Sequence, residues 1–186
     1  MSLVYIHGAN ATSQSWNYIR YKCGDGIVVS YDSAFGFKNN LQRITKELSE
    51  LNEIEFIAHS LGGIYAIHLA EALGDKVKCG ITLSTPYNGL ECPLYAKVLM
   101  PWYLLLYDIT PNGWPIKTAN TIKLKCPWTN IVTTSGSMPW VKGENDGVVS
   151  IDSQKHRKDI ELIEIDCNHY EVVLNHETVN IINSKI

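Results

Sequence analysis

Ser60 lies in the stretch "IAHSLGGIY", between a β-branched run that reads as a strand and a Gly-Gly pair that opens a helical run. A serine hydroxyl attacks an acyl carbon only if a base takes its proton and hydrogen-bond donors hold the oxyanion that forms. A strand-turn-helix junction suits that chemistry. It exposes the hydroxyl at the carboxyl edge of a sheet, and the helix N-terminus points backbone N–H groups at the developing charge. So tight a turn crowds the residues two before and two after the serine, and Ala58 and Gly62 keep those positions small. The competing reading is a serine that only caps a helix. Six histidines could supply a base: His7, His59, His68, His156, His169 and His176.

Holding such a group in place requires a sheet with helices around it. Short β-branched runs at 3–6, 27–31, 55–58, 78–83, 130–134 and 161–165 alternate with helical stretches at 13–20, 39–51, 61–73 and 170–184. That alternation predicts an α/β fold, a three-layer α/β/α sandwich with a mostly parallel sheet of about six strands. In the second helical stretch Leu41, Ile44, Leu48 and Leu51 recur at spacings of three and four, with Asn39 or Asn40 available as N-cap. Gly74 offers a C-cap for the third. Residues 87–128 break the rhythm with prolines, tryptophans and tyrosines, including the run "VLMPWYLLLY" at 98–107, and form a candidate cap or lid insertion.

Composition narrows the classes of function. A chain of 186 residues, 45% hydrophobic, suffices for one good core, so residues 1–186 are expected to form a single domain. A net charge of -3 without clustered Lys and Arg argues against a nucleic-acid partner. The opening "MSLVYIHG" enters a strand-like run at once, with neither a signal-peptide pattern nor a membrane span, which predicts a soluble, cytoplasmic protein. Five scattered cysteines without CxxC spacing argue against a zinc site. Cys92 and Cys126 bracket the candidate insertion and could bridge in an oxidising compartment.

The hexapeptide "AHSLGG" resembles the nucleophile elbow of α/β-hydrolases in its lipase-type form, with Ala58 where Gly is usual, as in minimal bacterial lipases. The resemblance implies the chain order nucleophile, acid, histidine. "GENDGVVS" then supplies Asp146 as the acid, favoured over Asp152 and Glu144 because Gly147 permits a tight turn, and "EIDCNHYEVVLNHE" supplies His169 as the base. His176 reads as a packed or surface residue inside the last helix, His156 as part of the solvated run "KHRK", and His59 and His68 as packing groups. The oxyanion donors implied are the backbone N–H groups of Leu61, directly after the serine, and of Ala9, in "VYIHGANATSQSW", which resembles the His-Gly loop of lipases and esterases with His7 as a brace. "LSTPYNG" resembles a Thr-Pro-His-x-Gly segment with Tyr87 in the His position. His59, Tyr87, Trp102 and Leu105 are the expected substrate-pocket residues. The resemblance runs from residue 4 to 175, matches nothing specific between 90 and 125, and implies a chain that starts at the strand carrying the His-Gly loop.

The function implied is hydrolysis of carboxylic esters, with no metal and no cofactor. Thioester or amide cleavage and acyl transfer use the same triad, since all share one tetrahedral intermediate. A catalytically dead hydrolase fold used as a binding module is the remaining alternative. The expected partner is a small-molecule ester or lipid, with transient contact at a lipid interface if 98–107 is an apolar cover. If the run is instead one buried helix, that contact disappears. Oligomeric state has no signature in the sequence.

Overall fold

The computed structural model describes residues 1–90, 99–100 and 102–186. Six strands, β1 (Ser2–Ile6), β2 (Ile27–Val29), β3 (Ile54–His59), β4 (Val77–Leu83), β5 (Trp128–Thr133) and β6 (Glu161–Ile165), form one all-parallel sheet in the order β2-β1-β3-β4-β5-β6. The expected strands are found within about two residues at each end, and the sheet is entirely parallel. Every residue of β3 and of β5 is buried, as central strands covered on both faces require.

Alternation along the strands divides the core in two. Val4, Ile6, Ile54, Phe56 and Ala58 face one layer, formed by α2 (Phe37–Leu48), α3 (Leu61–Leu73) and the helix Trp114–Ala119. Tyr5, Ile57, Ile81 and Ile131 face the other, where α1 (Asn17–Cys23) and the C-terminal helix His176–Lys185 contribute Ile19, Val179 and Ile182. This is the three-layer sandwich that the sequence predicts. Strand order reverses direction at β1, with β2 on one side and β3 on the other. The carboxyl ends of β1 and β3 therefore flank the switch point where open α/β sheets bind ligands.

Three of the four helical stretches differ from expectation, the first, expected at 13–20, being a 3₁₀ turn at Ser13–Trp16 followed by α1 at Asn17–Cys23. Neither Asn39 nor Asn40 caps α2; the helix starts at Phe37, whose N–H donates to Asp108 Oδ2 at 3.0 Å, and Asn40 turns inward to donate to Asp32 O and Gly36 O. The last helical stretch is broken at Asn175, whose side chain accepts from Glu177 N at 2.7 Å and so starts a new helix. His176 consequently sits at a helix start, edge-on to Tyr18. Residues 91–98 and 101 of the candidate insertion, with Cys92 and so the question of a bridge to Cys126, lie outside the described residues. Of the rest of the run 98–107, Leu99, Met100, Trp102, Leu104 and Tyr107 are exposed and Leu105 is buried at 6% exposure, so its described part is not one buried helix. Among the described residues no helix is long and apolar enough to cross a membrane.

Candidate active site

Ser60 follows β3 directly and precedes α3, with φ 54° and ψ -122°, a conformation that few side-chain-bearing residues adopt. Its N–H donates to Leu83 O at 2.8 Å, which pins the turn to β4. Close approach explains the residue two positions on: a Cβ at Gly62 would lie 2.3 Å from Ile6 O and 2.6 Å from His7 O. Only a glycine lets the first turn of α3 settle against the end of β1. The strand end thereby fixes both the hydroxyl and the loop that leaves β1.

That hydroxyl meets His169. Ser60 Oγ lies 3.0 Å from His169 Nε2, and His169 Nδ1 lies 2.8 Å from Asp146 Oδ2. An ionised carboxylate only accepts, so Nδ1 carries the proton and Nε2 is left to accept from the serine. Asp146 is held in turn by donors on both oxygens. Oδ1 accepts from the N–H groups of Val148 and Val149, and Oδ2 from Thr133 Oγ1 at 2.6 Å and Gln154 Nε2 at 3.0 Å. Burial alone would push this carboxyl up; His169, the Thr133 hydroxyl and the Val149 N–H outweigh it and hold Asp146 below the ordinary carboxylate range. The His169 main-chain N–H also donates to Asp146 O at 3.0 Å, so the loops that carry Asp146 and His169 are tied through the main chain. Asp152 and Glu144 are exposed and take no part.

A second histidine supports the first from behind. His59 Nε2 donates to His169 O at 2.9 Å, and the two rings lie 4.8 Å apart. Burial foremost, then the neighbouring His169, pushes the His59 pKa down to about 3, which keeps it a neutral donor. His68 Nε2 donates to Pro115 O, and burial lowers its pKa also.

On the opposite side of Ser60, Gly8 brings the loop after β1 close in; a Cβ there would stand 3.1 Å from Ser60 Cβ. His7 Nδ1 donates to Gly8 O at 2.8 Å while its ring stacks on Tyr31 at 4.3 Å, and Tyr31 Oη donates to His7 O at 2.7 Å. The C=O and N–H of one trans peptide point in opposite directions. Holding Gly8 O therefore fixes the direction of the Ala9 N–H. Among the described residues, no acceptor takes the N–H of Ala9 or of Leu61.

The expected pocket residues scatter. Tyr87 is fully buried, its hydroxyl bonded to Thr82 Oγ1 at 2.8 Å and accepting from Trp128 Nε1 at 3.2 Å. Leu105 packs into the core, and Trp102 is 72% exposed. His59 supports His169 as described. The segment carrying Trp102 does reach the β1 loop, through Tyr103 Oη, which donates to Asn10 Oδ1 at 2.6 Å. A cavity of about 410 Å³ lies instead beside the loops that carry Asp146 and His169, between Leu90, Pro111, Met138, Trp140, Val148 and Tyr170. Nothing in the sequence marks Thr133, Gln154 or Tyr31; the sole hint of the cavity is the apolar "MPW" in an otherwise polar loop before Asp146.

No family model matches the sequence, and no curated protein does. Solved structures do match. The mature lipase BlEst2 of Bacillus licheniformis is similar at TM-score 0.70 and 15% identity, over 97% of this chain and 89% of that one. This is the α/β-hydrolase fold. A lipase-esterase related protein of Clostridium acetobutylicum is similar at TM-score 0.66 and 13% identity, over 99% of this chain and 93% of that one. The thioesterase domain from the curacin biosynthetic pathway is similar at TM-score 0.64 and 14% identity, over 98% and 90%. In this α/β-hydrolase fold, identities so low speak for the architecture and leave the chemistry to be argued from the site.

Proposed function

We propose that this protein is a serine hydrolase that cleaves carboxylic esters through an acyl-enzyme, with Ser60 as nucleophile, His169 as general base and acid, and Asp146 as the group that orients His169. The observation that carries the reading is the unbroken chain of hydrogen bonds from Ser60 Oγ through both ring nitrogens of His169 to Asp146 Oδ2. As Oγ bonds to the carbonyl carbon, Nε2 takes the serine proton and the carbonyl electrons move onto oxygen, where the N–H groups of Ala9 and Leu61 receive the charge. Collapse of that intermediate expels the alcohol oxygen, which takes the proton back from Nε2. Water then repeats the sequence on the acyl-enzyme and frees the acid.

Apolar esters are the substrates this reading favours. Leu99, Met100, Trp102 and Leu104 stand exposed on the segment that touches the β1 loop at Asn10, a surface suited to transient contact with a lipid aggregate. A fluorophosphonate is expected to label Ser60, and Ser60→Ala to lose on the order of 10⁴-fold or more in turnover. Labelling of another residue would refute the nucleophile. Matched oxygen esters, thioesters and amides separate the ester reading from its chemical neighbours, and faster cleavage of a thioester than of its oxygen ester would overturn it. An abrupt rise in activity as substrate forms droplets is expected of the lipid contact, and smooth saturation across that point would remove it.

A further inference from the structure

We propose that the cavity beside the acid and base loops binds the alcohol half of the substrate ester and that this half is a bulky apolar group; the assignment rests on the triad proposed above. Gly147 and Val148, which line the cavity, follow Asp146 directly, and the ring of Tyr170, also in the lining, stands edge-on to the His169 ring at 5.4 Å, so the cavity lies on the histidine side of Ser60, with Tyr170 between it and His169. Proton transfer decides which half of an ester lies on that side. The proton on His169 Nε2 must reach the departing alcohol oxygen, while the carbonyl oxygen is drawn the other way by the N–H groups of Ala9 and Leu61.

The lining decides what kind of alcohol fits. At about 410 Å³ the cavity falls within the size range of small-molecule sites, far beyond the needs of methanol or ethanol. Trp140 and Tyr170 are 66% and 69% exposed, so their rings are available to a ligand and not spent on the core. The two serine hydroxyls of the wall already have partners, Ser153 Oγ donating to Gly89 O at 2.8 Å and Ser150 Oγ accepting from Ser153 N at 3.2 Å, and the remaining polar side chains of the lining, Asn88 and Lys142, are exposed to solvent. An apolar occupant leaves none of them stranded.

The test compares butyrate esters of methanol, butanol, octanol and 2-naphthol with methyl esters of acids from acetate to octanoate, on wild type, Trp140→Ala, Tyr170→Ala and the double variant. Wild-type kcat/KM is expected to climb along the alcohol series, and the octyl-to-methyl ratio to fall roughly tenfold or more in the double variant. The loss belongs to the acylation phase, because the alcohol has departed before deacylation begins. Leu174→Ala, which removes an exposed apolar side chain away from the cavity, is expected to keep the wild-type ratio. Unchanged ratios in variants whose Ser60 still takes a fluorophosphonate would overturn the cavity assignment alone. So would a loss that follows acyl length and appears in deacylation. Absence of labelling at Ser60 in the wild type would overturn the nucleophile, and the cavity assignment with it.

Discussion

Replacing His59 by Gln is expected to make the folded state less sensitive to acid, because the buried His59 ring is held neutral. Burial is the first cause of the low His59 pKa, and the neighbouring His169 adds to it. The hydrogen bond to His169 O and the Asp146 charge pull the other way, and the balance lies near 3, against an ordinary 6.5. Below about pH 6.5 the unfolded chain gains a proton on this ring. The native state does not do so until near pH 3. The unfolded state therefore binds more protons across that window, and stability falls as pH falls through it. Integrated from pH 7.5 to 5, the loss is about 2 kcal/mol for this one ring. Gln keeps an N–H able to donate to His169 O and has no proton to gain. The unfolding free energy of wild type, from urea titrations at each pH, is thus expected to drop about 2 kcal/mol more than that of His59→Gln between pH 7.5 and 5. His7 and His68, whose burial also lowers their pKa values, act in both proteins and cancel in the difference. Parallel stability curves would show that His59 is not held neutral, and would refute its role as a buried donor.

Ser60→Gly is expected to raise stability by roughly 1 kcal/mol while abolishing turnover, because φ 54° with ψ -122° strains a side-chain-bearing residue; a denaturant midpoint at or below wild type would place no strain at the turn. Asp146→Asn is expected to lower turnover by on the order of 10⁴-fold, while Asp152→Asn and Glu144→Gln, at exposed positions, change it little. Equal effects in steady-state assays would contradict the assignment of the acid. Gly62→Ala forces a methyl group to within 2.3 Å of Ile6 O, a main-chain atom that cannot swing aside. A loss of about 1–3 kcal/mol is expected, together with reduced turnover as the end of β1 shifts, and a wild-type melting temperature would count against the close approach.

Local chemistry made much of this protein legible from its residues alone. Short β-branched, apolar runs marked the six strands, because strands of a parallel sheet covered on both faces are apolar along their length. The small residues around Ser60 marked the turn, since crowding there is set by the turn itself. Turn chemistry also singled out Asp146, where Gly147 adopts a φ of 94°. Other features depend on partners far away in the chain. The start of α2 is set by Asp108, 71 residues beyond Phe37, and the Asp146 carboxylate by Thr133 and Gln154, residues that carry no local signature. Tyr87 was legible as a residue at the end of a strand but not as a buried one, because loop residues have no periodicity to say which way a side chain points, and the choice fell to the hydroxyl of Thr82 and the indole of Trp128. The cavity beside His169 was equally hidden. It is made from segments far apart in the chain, around Leu90, Pro111, Trp140, Val148 and Tyr170, and only the packing of the sheet brings them to one edge.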